Sequence, residues 1–87
     1  MLTAAQRKMI RENVSEDKIT FKKDGTVEFK RGYFYHMGQT PDGVAARATA
    51  SLAKIGLKAV TIDTRDEFRA WPRDSWLVAV LKIEAAS

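Results

Sequence analysis

Cysteine is absent from the 87 residues, so neither disulfides nor thiolate metal ligands brace this chain, and hydrophobic packing must supply nearly all of its stability. Histidine occurs once, at His36, and one histidine cannot by itself build a zinc site or a nucleophile–base pair. Long apolar runs are missing too. Near the N-terminus Gln6, Arg7, Lys8, Arg11 and Glu12 interrupt every apolar stretch, which excludes a signal-peptide core, and no segment approaches the length of a membrane span. There is no phosphate-binding glycine loop, serine elbow or paired-histidine helix, so nothing calls for a cofactor. These absences lead to the expectation of a soluble, cytoplasmic, non-enzymatic protein that does not engage membranes. Its length allows one domain, residues 1–87, which buries about 60–65 % of its unfolded surface.

Charge is plentiful and unevenly placed. Fifteen basic and eleven acidic residues give a net +4. Residues 1–31 contribute +3, residues 32–60 contribute +2 and residues 61–87 contribute −1. A basic excess in the first two thirds, with a pI near 9.6, is the electrostatic footprint of a nucleic-acid binder, although mixed charge of this size is also an ordinary solvated surface.

Thr3 and Gln6 have capping-box spacing and predict a helix from Ala4 to about Val14, with Met9, Ile10 and Val14 on one stripe and Arg7, Lys8 and Arg11 opposite. Lys18–Lys22 alternates, with Ile19 and Phe21 on one side. Asp24-Gly25 then separates it from the alternating Thr26–Lys30, which predicts a hairpin. Thr40-Pro41-Asp42 opens a second helix carrying Val44, Ala45, Ala48, Leu52 and Ile55, and Gly56 ends it. Lys58–Thr64 predicts a half-buried strand, with Val60 and Ile62 against Thr61 and Asp63. Arg65–Asp74 reads as a connection, and Trp76–Ile83 as a central strand. The order α-β-β-α-β-β predicts an α+β fold, an antiparallel sheet with two helices on one face. It can be drawn as a split β-α-β sandwich whose first strand has moved to the C-terminus.

Arg31-Gly32-Tyr33-Phe34-Tyr35-His36 gathers three of the eight aromatic residues. An unbroken strand parity that buries Val27 and Phe29 would also bury Arg31, which is costly for an unpaired guanidinium. A bulge near Gly32 would relieve this by turning Phe34 inward and Tyr33 and Tyr35 outward, and glycine inside a strand favours that reading. Exposed tyrosines would form a base-stacking platform with Lys22, Lys30 and Arg31 beside them for phosphates, each stacked base contributing about 1–3 kcal/mol. Buried tyrosines would complete a small core instead.

The stretch resembles the start of the RNP1 motif of RNA-recognition domains at Arg31, Gly32, Tyr33 and Tyr35, and departs from it at Phe34, His36 and Gly38. Across about residues 27–83, Arg31-Gly32-Tyr33-Phe34-Tyr35, the alanine-rich helix, Ala70-Trp71-Pro72 and Ser75-Trp76 are similar to small uncharacterised proteins encoded by phages and prophages. That resemblance implies a phage or prophage origin and no catalytic residues.

The first functional expectation is therefore nucleic-acid binding through Lys22, Lys30, Arg31, Tyr33 and Tyr35. The second is a protein-interaction module, by self-association or capture of a host protein, with Trp71 stiffened by Pro72 as anchor. A metal-dependent nuclease using Asp63, Asp66 and Glu67 comes third, because Arg65 and Arg69 interleave with those carboxylates.

Overall fold

The computed structural model describes residues 2–32, 39–67 and 76–85. The fold is α+β, with α1 (Ala4–Asn13), β1 (Lys18–Phe21), β2 (Thr26–Gly32), α2 (Pro41–Lys54), β3 (Leu57–Glu67) and β4 (Trp76–Ala85). Both helix starts follow from the sequence. Thr3 Oγ1 accepts from Gln6 N–H at 3.1 Å while Gln6 Oε1 accepts from Thr3 N–H at 2.9 Å, completing the capping box. Thr40 Oγ1 accepts from Gly43 N–H at 3.0 Å, Pro41 occupies the first turn, and Gly56, at φ 81°, terminates α2 in a conformation that a side chain would strain.

The sheet is antiparallel throughout, in the order β1-β2-β4-β3. β2, α2 and β3 thus form a β-α-β unit split by the insertion of β4, which is the permuted arrangement expected from the element order. The β1–β2 connection is a three-residue loop, Lys23–Gly25. Lys22 N–H donates to the Thr26 carbonyl, and Gly25 takes the positive φ of 87° that a glycine bulge needs. Asp24 Oδ1 accepts from both Thr26 N–H and Thr26 Oγ1–H, at 3.0 and 2.6 Å, which holds the carboxyl below its usual range.

One face of the sheet carries the core. Val27 and Phe29 from β2, Leu77, Ala79 and Leu81 from β4 and Leu57 from β3 pack against Ile10 and Val14 of α1 and Val44, Ala45, Ala48 and Leu52 of α2. Alanines at 45 and 48 let α2 lie close to the strands, and burying a side chain such as Phe29 or Leu81 contributes about 1.5–3 kcal/mol. Among the described residues no helix is long and apolar enough to cross a membrane.

The strands depart from the sequence expectation in two places. The β2–β4 ladder runs in register through Gly32↔Trp76, so there is no bulge up to Gly32, and Arg31 keeps the helix-side parity. The irregularity lies in β3 instead, where Thr61 pairs with Leu81 but Asp63 pairs with Val80, leaving Ile62 as the extra residue. Unbroken alternation would aim Asp63, Arg65 and Glu67 at α2. The bulge turns all three to the opposite face and lets the strand continue to Glu67 rather than stop at Thr64; ahead of it Leu57 and Ala59 take the core side, so Val60 points away from the helices and is 45 % exposed, with the bulged Ile62 56 % exposed.

Candidate nucleic-acid interface

Arg31 is satisfied on the helix side. Its Nε–H donates to Glu16 Oε2 at 2.9 Å and its NH2 group to the Ser15 carbonyl at 2.8 Å, and the Glu16 side chain, only 2 % exposed, also faces Arg47 Nε at 3.7 Å. Next to it Gly32 N–H donates to Asp17 Oδ2 at 2.6 Å. The polar run Ser15-Glu16-Asp17 is thus a clamp on the end of β2. A nearly buried carboxylate resolves the parity problem that a bulge was expected to relieve, because a guanidinium paired in this way no longer bears an unbalanced desolvation penalty.

Lys22 and Lys30 lie on the other face, where Glu28 gathers them. The Glu28 carboxylate, 9 % exposed, lies 3.1 Å from Lys22 Nζ, 3.4 Å from Lys30 Nζ and 3.3 Å from Arg65 NH2. Burial by itself pushes its pKa up. The hydrogen bond and charge of Lys22, with the charge of Lys30, more than offset this and hold it below the ordinary value. The network extends through Arg65 to Asp63 at 2.9 Å and Glu67 at 3.1 Å, and from Glu67 to Lys30 at 3.5 Å. The hydrogen bonds that Arg65 donates to Asp63 and Glu67 raise its pKa further, keeping that cation permanently charged. This lattice roofs the second face of β4, where Val78 and Val80 are buried.

The structure therefore brings Lys22 and Lys30 together but sets Arg31 on the opposite face. Tyr33 and Tyr35, and the interaction candidates Trp71 and Pro72, lie outside the described residues. Of the carboxylates considered for a metal, Asp63 and Glu67 are bonded to Arg65, and Asp66, opposite Leu77, has the other parity. Among the described residues no group of three potential ligands converges.

A basic surface missed by the sequence reading runs along β1, an edge strand, and the helix beside it. Arg11 and Arg7 of α1 hold their guanidinium carbons 4.9 and 5.7 Å from the centroid of the Phe21 ring. Like charges one turn apart repel by a few tenths of a kcal/mol, and two cation–π contacts of about 0.5–1 kcal/mol each offset this. Lys18 and Lys22 project from β1 and Lys23 from the following turn, all exposed. Arg7, Arg11, Lys18 and Lys23 make no ion pair among the described residues, whereas Lys8 pairs with Glu12 and Lys22 with Glu28. The alternation of Ile19 and Phe21 with Lys18 and Lys22 carried this signal, but α1 could be placed beside Phe21 only in three dimensions.

No family model matches the chain, and neither the curated proteins nor the solved structures contain a match to it.

Proposed function

We propose that this protein is a small non-enzymatic module of phage or prophage type that binds nucleic acid along the β1 edge. The observation that carries this reading is the pair of guanidiniums held over Phe21 on the helix side of β1 without a carboxylate partner among the described residues, with Lys18, on the strand's other face, and Lys23 likewise in no ion pair among those residues. Cations fixed in place and lacking internal counterions are suited to a phosphodiester backbone, since binding releases the backbone's condensed counterions at little ordering cost. Arg7 and Arg11 take over the phosphate role first assigned to Arg31. Lys22 and Lys30 lie on the other face of the sheet with their charge already shared with Glu28, and Tyr33 and Tyr35, next in the chain after Gly32, are the residues the sequence offers for base stacking.

Anisotropy titrations with labelled single- and double-stranded oligonucleotides over a range of salt test the proposal. Binding that weakens linearly in log–log form with salt is expected. Absence of salt-dependent binding to either form refutes it.

A further inference from the structure

The two edges of the sheet are built differently. β1 is four residues long, carries Lys18, is followed by Lys22 and is flanked by α1, features that deter pairing with another strand. β3 is eleven residues long, the longest strand, and its outer side has no neighbour in the sheet. It bears two of the three large exposed hydrophobics among the described residues, Val60 and Ile62. Beside it two contiguous grooves, about 620 and 420 Å³, run between β3 and the exposed flank of α2, with Ala50, Ala53 and Thr49 on the helix side and Thr61 and Ala59 on the strand. This is the arrangement in which a strand is added and a small-sided helix flank is covered at the same time.

We infer that β3 pairs antiparallel with β3 of a second copy of this chain, about a two-fold axis between Ile62 and Asp63. Charge and parity select that occupant and that register. Pairing about this point sets Lys58 opposite Glu67, Val60 opposite Arg65 and Thr61 opposite Thr64, each twice. Because both copies carry the bulge at the axis, every one of these pairs shares a face: Lys58, Val60, Arg65 and Glu67 the outer face, Thr61 and Thr64 the helix side. Lys58 makes no ion pair among the described residues, so Glu67 of the second copy supplies its partner, and Val60 covers the aliphatic stem of Arg65. The same axis brings the alanine flanks of the two α2 helices toward one another. The result is an eight-stranded sheet with a basic β1 edge at each end, and it does not depend on what those edges bind.

The chain has no cysteine, so single introduced cysteines read the geometry cleanly. Light scattering and sedimentation at about 100 µM protein, above the dissociation constants of most specific interfaces, are expected to give twice the 9.8 kDa chain mass. Ile62→Lys, at an exposed position, is expected to yield monomer with an unchanged far-UV spectrum. Lys58→Glu, which sets like charges opposite each other twice, is expected to weaken association about tenfold. Ile62→Cys is expected to form a disulfide-linked dimer far faster than Lys8→Cys on α1. A wild-type monomer at that concentration overturns the inference, even if the edge captures some other strand. So does a dimer that Ile62→Lys and Lys58→Glu leave intact and in which Ile62→Cys cross-links no faster than Lys8→Cys.

Discussion

Replacing Glu28 by glutamine removes the charge at the centre of the outer-face lattice while keeping its shape. Three cations lose a charge-assisted partner, but none is stranded in the interior: Arg65 keeps Asp63 and Glu67, Lys30 keeps Glu67, and Lys22 is 42 % exposed. The full cost of breaking a buried pair, about 3–5 kcal/mol, therefore does not apply. Solvent screening of the exposed partners brings the expected loss to about 1–2 kcal/mol, a fall in Tm of about 5–15 °C for a chain of this size. The pH dependence gives the sharper check. Because the folded-state pKa of Glu28 is lowered from its ordinary 4.5, the unfolded chain binds more protons in the window below that value, so stability rises with pH there. The contribution is fully present above pH 4.5 and is lost as pH falls through the folded value. Urea denaturation of both proteins from neutral pH down to about pH 2.5 should show the gap between wild type and Glu28→Gln closing in acid. Equal stability at neutral pH, or a gap that acid leaves unchanged, would refute the reasoning.

Three further outcomes follow from packing and backbone geometry. Phe29→Ala empties the largest fully buried side-chain position among the described residues and should cost about 3–5 kcal/mol, enough to broaden or abolish cooperative thermal unfolding. Glu16→Gln weakens the clamp on Arg31 and Arg47 and should cost about 1–3 kcal/mol by urea denaturation, with protection of the Gly32 amide against hydrogen exchange reduced. Gly56→Ala meets no atom within 4 Å, so its cost should be the strain of positive φ alone, about 1 kcal/mol in thermal unfolding, with wild-type structure retained.

The elements themselves were legible because each has a local cause. Thr3 with Gln6, Thr40 with Pro41, Gly56 and Asp24-Gly25 mark ends and turns within a few residues of chain, and β4 declares itself central by its apolar density. What depends on distant partners was not legible. Arg31 looked too costly to keep its parity because its counter-charge, Glu16, lies fifteen positions away. The strand ending at Glu67 looked like a loop because Arg65, Asp63 and Glu67 satisfy one another, and Glu28, only after the bulge at Ile62 turns them to one face. The bulge has no glycine to announce it. The basic edge was hidden for the same reason, since Arg7 and Arg11 reach the edge strand only when α1 folds over Phe21.

The assignment of nucleic-acid binding to the β1 edge is tested most directly by the salt dependence of oligonucleotide affinity in Arg7→Gln/Arg11→Gln compared with Arg31→Gln, both verified as folded. Loss of two phosphate contacts should lower the log–log slope by about 1.4 on a single strand and about 1.8 on a duplex. Arg31→Gln, whose guanidinium is held by Glu16, should leave the slope at the wild-type value. A slope that survives the double substitution, or one that falls only with Arg31→Gln, would contradict the assignment.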